Sequence, residues 1–202
     1  MNAGTHQHLA AGLAAAAFVP GILAMLRHDA TRYTPTGHWA LQSGFWVGAL
    51  YRLGAFTRER VRIPILRHGM LGVYWLIRQP VRLLLHVDIP AKARIGGGLY
   101  LPHPRNILIG PGVVIGEDCS IFHDITVGHG PRPGLATVGN HVVLFPGAKV
   151  LGGISIGHRS EIGANCVVAR DIPEYTLVLP AASRIIRQSL VRHAPAETTT
   201  PE

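Results

Sequence analysis

From residue 89 to residue 172 the apolar positions fall on a six-residue beat. An aliphatic residue, usually followed by Gly, recurs with a small or apolar residue four places later. The frame takes in Ile89, Ile95 and Leu101. It resumes at Ile109, Ile115, Ile121 and Val127, and again at Val138, Leu144, Val150, Ile156, Ile162 and Val168. Gly follows directly at 96, 110, 116, 128, 139, 157 and 163. The frame slips by two residues between 101 and 109 and by five between 127 and 138. Six residues are too few for a helix-turn unit and too many for simple strand alternation. They fit one short strand plus a corner, and three such units make one turn of a triangular solenoid of parallel strands. The first-position aliphatics point inward, as do the fifth-position residues Ala93, Val113, Cys119, Ile125, Val142, Ala148, Ile154, Ser160 and Cys166. At eighteen residues per turn, the 84 residues 89–172 less seven inserted ones make about four turns. An inert spacer or an ice-binding rod needs no extruded segments. The two slips therefore mark loops carried on a rigid scaffold, where sites are found.

Before residue 87 the pattern changes to helical spacing, with helices expected over residues 6–26, roughly 37–56 and roughly 65–86. Pro64 can start the third and Pro80 should kink it. Its apolar residues, Leu71, Val73, Trp75, Leu76, Ile77, Val81, Leu83, Leu84 and Leu85 among them, nearly ring the helix. Such a helix should be buried against neighbours or lipid. Leu9–Leu26 is eighteen residues without a charge. It is rich in Ala, interrupted by Pro20–Gly21 and preceded by no Lys or Arg, which favours a buried or interfacial helix over a span or a signal peptide. The expected organisation is a helical region 1–87, a solenoid 88–173, an extension 174–193 and a disordered tail 194–202, whose APAETTTPE lacks apolar anchors.

Charge sharpens this division. Of the net +8, residues 27–94 supply all of it, with eleven Lys or Arg against Asp29, Glu59 and Asp88, while residues 95–202 carry eight charges of each sign. No nucleic-acid-binding motif accompanies the basic half. A solvated basic face and peripheral attraction to anionic headgroups are the two readings of it. The two cysteines, Cys119 and Cys166, sit at inward positions and read as buried thiols, not a disulfide or metal pair, which suits a cytoplasmic protein.

Four words of sequence carry a resemblance: VDIPAKARIGGGLYLPHP (87–104), VVIGEDCSIFHDITVG (113–128), VGNHVVLFPGAKVLGGISIGHRSEIGANCVV (138–168) and RDIP (170–173). The stretch His86–Arg187 resembles the hexapeptide-repeat acyltransferases, and within them the serine O-acetyltransferase-like branch. That resemblance implies a mainly β fold, a left-handed parallel β-helix preceded by an α-helical region. The left hand comes from the family alone, since the general crossover rule favours the right. It also implies acetyl-CoA as co-substrate, no metal, and assembly as a homotrimer or dimer of trimers with sites between subunits.

His103 and His123 are the third residues of the hexads that begin at Leu101 and Ile121. Their separation is one turn plus the two-residue slip, which sets both on one outer face, one turn apart. An alcohol is a poor nucleophile at neutral pH, and imidazole can take its proton. The resemblance gives His103 the role of general base toward the acceptor hydroxyl. His123 binds substrate, relays a proton or is a stacked structural residue. Within the loop 131–137 the resembled enzymes carry a further His and Arg, where this chain has Gly134-Leu135-Ala136. His129 and Arg132 are the candidates to substitute. Pro102 stands where those enzymes usually have Asp before the base. Asp29 falls near an Asp that meets substrate in the resembled helical domain, with a helix N-cap as its structural alternative. For CoA, the matching words point to Gly147, Ala148, Gly163 and Ala164 along the pantetheine arm, with Lys149 or Arg170 near phosphate. The acceptor is L-serine, or the hydroxyl of a sugar, polysaccharide or secondary metabolite. Other readings are a γ-type zinc carbonic anhydrase using His103, His123 and His129, which needs three converging imidazoles, and a non-catalytic scaffold.

Overall fold

The six-residue beat folds as its spacing requires: strands of two to four residues, three to a turn. A computed structural model describes residues 21–36 and 38–182. The expected tail 194–202 and the part of the first helix before residue 21 lie outside the described residues. Three parallel sheets form the faces of a prism. The first holds β1 (Val87–Asp88), β3 (Ile107–Ile109), β6 (Ile125–Gly128), β9 (Lys149–Leu151) and β12 (Val167–Val168). The second holds β2 (Arg94–Ile95), β4 (Val114–Ile115), β7 (Thr137–Val138) and β10 (Ser155–Ile156). The third holds β5 (Ser120–Ile121), β8 (Val143–Leu144), β11 (Glu161–Ile162) and β13 (Leu177–Val178).

Register confirms both slips. Val87 pairs with Ile107 and Ile107 with Ile125, steps of 20 and 18 residues. Thr126 then pairs with Lys149, a step of 23, and Val150 with Val168, again 18. A third irregularity was not foreseen: Ile156 pairs with Ile172 and Glu161 with Leu177, steps of only 16. The coil makes about five turns, not four. The frame count missed the strand at Val87–Asp88 and the shortened last turn that runs on to Val178.

Inside the prism the first and fifth positions meet as expected. Ile115, Ile121, Val138, Val150, Ile156 and Ile162 are all fully buried, each stabilising by about 1.5–3 kcal/mol. Ser160 is the polar exception at 0% exposed. Its hydroxyl donates to the Pro173 carbonyl (2.8 Å) and accepts from the Thr176 amide (3.2 Å), so no polar atom is orphaned there. Both thiols are free and buried. Corners turn through left-handed residues stacked in columns, one of them Asn106, Asp124, Gly147 and Asn165 at φ 51°, 58°, 79° and 59°. Asn and Asp tolerate this region best among residues with side chains.

Among the described residues three helices precede the coil: α1 (Ile22–Tyr33), α2 (Ser43–Arg60) and α3 (Pro64–Leu85), with short 3-10 turns at Thr34–Thr36 and Trp39–Leu41 between the first two. The helical pattern therefore runs seven residues past the expected end at 26, and the second helix begins at Ser43 instead of 37. Pro64 starts α3, which continues through Pro80 without a break. Helices α1 and α2 seal the open edge of the first turn, whose backbone groups have no preceding turn to bond. Tyr51 donates to the Ala93 carbonyl (2.9 Å) and accepts from the Ile95 amide (3.0 Å). Arg52 donates to the carbonyls of Ile95 (2.5 Å) and Gly96 (2.6 Å). Asp29 accepts from the Leu99 amide (2.9 Å), and the Tyr33 hydroxyl from the Leu101 amide (2.8 Å). An uncovered edge would invite pairing with another chain.

Within the chain, neighbours bury α3 on one side only. It packs Tyr74, Val81 and Leu85 toward the coil; Met70 and Leu71 are half-buried, and Ile65, Leu66, Val73, Trp75, Leu76, Ile77, Leu83 and Leu84 are exposed. No described helix is long and apolar enough to cross a membrane.

Candidate active site

Each turn has three corners, and the sequence gives each a different chemistry. The corner leading from the third sheet back to the first carries His103 and His123. Their rings lie 6.1 Å apart between centroids, inclined at 64°, and both are exposed. His103 rides on the two-residue insertion, whose turn is closed by the Arg105 amide donating to the His103 carbonyl at 2.8 Å. His123 is braced from the next turn, where the Gly147 amide donates to its carbonyl at 3.1 Å. The residue after it, Asp124, is held on two sides. The Asn106 amide group donates to its carboxylate at 2.6 Å, and the Lys149 ammonium donates to its carbonyl (2.6 Å) and carboxylate (3.0 Å). Just before His123, Phe122 stacks on Phe145 at 5.6 Å and 13°. The spacing of two imidazoles one turn apart was legible from the frame. Asp124 was not among the candidates, although Asn or Asp recurring at the corner position is a readable signal for it.

Further along the same corner the third-position residues become Pro146 and Ala164, with Gly147 and Asn165 behind them at the left-handed position. The edge thus passes from two imidazoles to a strip of small residues. Gly163 is required by close approach: a β-carbon there would lie 2.6 Å from the Val178 carbonyl oxygen. Of the other residues in the FPGAKV and IGAN words, Ala164 is exposed while Ala148 is fully buried in the core. Lys149 is engaged by Asp124. Arg170 is exposed after β12, on the corner between the first and second sheets.

That same corner carries the five-residue insertion, so His129 and Arg132 leave the prism on a different edge from His103. The loop folds down over later turns. Arg132 donates to the Asp171 carboxylate (2.8 Å) and its carbonyl accepts from the Gly153 amide (3.0 Å). A β-carbon on Gly153 would lie 2.2 Å from the Pro133 oxygen, so the loop seats only on glycine. Leu135 packs against the core and Ala136 is 1% exposed. Within one chain, therefore, His129 and Arg132 are not gathered with the histidine pair. Among the described residues, no group of three or more His, Cys, Asp or Glu is arranged to hold a metal ion.

Asp29 lies within α1, not at its start, and is 2% exposed. Both carboxylate oxygens are taken by Arg52, at 2.9 and 3.0 Å, besides the Leu99 amide. It ties two helices to the first turn. Like Ala148, it offers no open surface to a ligand in this chain. Arg32 lies closer to the exterior, donating to Ser120 at 2.8 Å with its guanidinium 5.8 Å from the Tyr100 ring.

Comparison with known proteins agrees with this architecture. Residues 136–170 match the family model for the bacterial transferase hexapeptide (six repeats). A serine acetyltransferase of Synechococcus elongatus is 40% identical over 157 residues, covering 76% of this chain and 61% of that one. The chain thus spans about three-fifths of that curated relative's length. The crystal structure of serine acetyltransferase from Brucella abortus strain S19 superposes with a TM-score of 0.69 at 25% identity, covering 89% of this chain and 73% of that one. The same enzyme in complex with coenzyme A gives 0.65 at 25%, over 79% and 66%. The fold shared with these neighbours is the left-handed parallel β-helix. The chain belongs to the hexapeptide-repeat acyltransferases, in their serine acetyltransferase-like branch.

Proposed function

We propose that the chain is an acetyl-CoA-dependent O-acetyltransferase with L-serine as acceptor and His103 as general base. The observation that carries this is the paired imidazoles of His103 and His123, on a corner that continues as a strip of small residues. In this reading His103 takes the hydroxyl proton as the oxygen attacks the thioester carbonyl. The new C–O bond forms, the C–S bond breaks, and the imidazolium returns its proton to the departing thiolate. Backbone amides of the corner hold the developing oxyanion. His123 orients the acceptor. The small-residue strip from Gly147 to Ala164 receives the extended arm of the co-substrate, with Lys149 beside the strip and Arg170 at the far corner of the first sheet as the candidates for its phosphates. A homotrimer completes the site, because the loop carrying His129 and Arg132 can approach His103 only from a neighbouring copy.

A second acceptor class is favoured by one observation. Leu135 is turned into the core and Arg132 is tied to Asp171, so the loop presents no unengaged arginine to an amino-acid carboxylate. A sugar or metabolite hydroxyl needs none. Release of CoA measured with L-serine against a panel of alcohols decides between the acceptors. Substituting His103→Ala should lower kcat by about 10²–10⁴-fold, with CoA binding by calorimetry retained. Wild-type turnover in that variant would remove His103 from the mechanism, and absence of CoA binding in the native chain would leave only a scaffold.

A further inference from the structure

We propose that Arg32 sets the acceptor specificity of the site by binding a carboxylate that the acceptor carries besides its hydroxyl, as an amino acid such as L-serine or a sugar acid does. This rests on the acetyltransferase reading of the His103–His123 corner. The two chain segments that lead to these imidazoles are bridged in parallel at Tyr100 and Ser120. Each imidazole follows three residues later, at most about 10 Å along the chain. Arg32, in the last turn of α1, lies across that same bridged pair. Its Nη2 donates to the Ser120 hydroxyl at 2.8 Å, and its guanidinium carbon stands 5.8 Å from the centre of the Tyr100 ring. The cation therefore flanks the two turns that carry the imidazoles. The strip of small residues assigned to the co-substrate runs the other way, from Gly147 to Ala164 on later turns, which leaves the Arg32 side to the acceptor.

Asp29, one helical turn earlier, shows what a structural charge looks like in this chain: 2% exposed, with both oxygens matched by Arg52. Arg32 differs on each count. It is half-buried, and among the described residues it forms no ion pair. One guanidinium nitrogen is spent on a neutral hydroxyl, which leaves Nε and Nη1 without a partner among the described residues. A planar guanidinium held by a hydroxyl at one corner and a ring beside it keeps an open, oriented edge, the geometry that takes a carboxylate through two parallel hydrogen bonds. Partial burial strengthens such a contact relative to a pair in open water. Helix α1 thus supplies the unengaged arginine that the loop 131–137 lacks, where Arg132 is tied to Asp171. Phe122, two residues beyond Ser120 and so on the same outward register, stacks on Phe145. It floors the space between the guanidinium and His123 with an apolar surface for the acceptor's carbon skeleton.

The test is acceptor binding without turnover, on the full-length His103→Ala protein loaded with CoA and followed by saturation-transfer-difference NMR. The probes are L-serine against ethanolamine, which lacks its carboxylate, and D-glucuronate against D-glucose. At least one acid should bind roughly ten-fold or more tightly than its neutral counterpart, and the acid that does so names the source of the carboxylate. Adding Arg32→Met should weaken that acid by roughly ten- to a hundred-fold, with CoA binding by calorimetry unchanged. Arg32→Lys keeps the charge and loses the fork, so its loss should fall between the two. With His103 in place, the effect of Arg32→Met should appear in KM for the acid and not in KM for acetyl-CoA, a split that a general loss of structure does not produce. Equal binding of acids and neutral counterparts, binding of neither acid, or an acid affinity that both Arg32 variants leave intact overturns the proposal. These outcomes are separate from the general-base reading, which falls only if the His103→Ala protein retains turnover.

Discussion

Asp29 and Arg52 show how much one pair of side chains can hold. Each is about 2% exposed, and together they bond three backbone groups of the first turn. Removing one partner leaves an uncompensated buried charge. Arg52→Met is therefore expected to destabilise the fold by about 3–5 kcal/mol, measured by urea unfolding. Asp29→Asn should cost a comparable amount, and the double variant less than the sum of the two, because their effects are coupled. A raised KM with unchanged stability in Asp29→Asn would instead make it an acceptor-binding residue. On the opposite edge, His103 and His123 have few constraints beyond the corner that carries them. The candidate catalytic imidazoles are exposed, whereas the Asp29–Arg52 charges are buried.

Elements fit together through glycines placed where backbones touch. Gly44, near the start of α2, is the clearest: a β-carbon there would lie 1.8 Å from the Leu101 carbonyl oxygen and 3.0 Å from the Tyr33 hydroxyl. Gly44→Ala must push α2 off the coil, with an expected loss of about 1–3 kcal/mol and a lowered urea midpoint. The strand frame could be counted directly because each short strand repeats the one before it. Helix starts could not, since residues 34–42 (TPTGHWALQ) mix turn formers with apolar residues and their conformation depends on what α2 packs against.

At the scale of the whole molecule, the coil is one continuous column of apolar side chains with neutral acids buried in and beside it. Burial pushes the Cys119 thiol from 9.0 up to about 12. It pushes the Tyr51 hydroxyl from 10.0 to about 12 against the opposing pull of Arg52. Folded values above unfolded ones mean that the native state binds the proton more tightly. This contribution is therefore fully present below about pH 9 and is lost as pH rises from there toward 12. Unfolding free energy measured from pH 8 to 12 should decline across that window. Cys119→Ala should reduce the slope of its lower part, between about pH 9 and 10, where the unfolded chain's thiols titrate ahead of its tyrosines.

The amino-acid sequence by itself determined the coil, its two insertions, its inward residues and the shared corner of His103 and His123. A period of six repeats the same local geometry, so counting along the chain is equivalent to measuring along the prism. The third irregularity, a step of sixteen, escaped because it falls where hexads give way to RDIPEYTL (170–177) and the frame has no later member to reveal it. Tertiary structure alone decided three other matters. Asp29 finds Arg52, 23 residues on, and Leu99, 70 residues on, a meeting no local spacing encodes. The insertion carrying His129 and Arg132 leaves by a different corner from His103. And α3, apolar nearly all round, is covered on one side only, because burial depends on which surface a neighbour occupies and not on the composition of the helix.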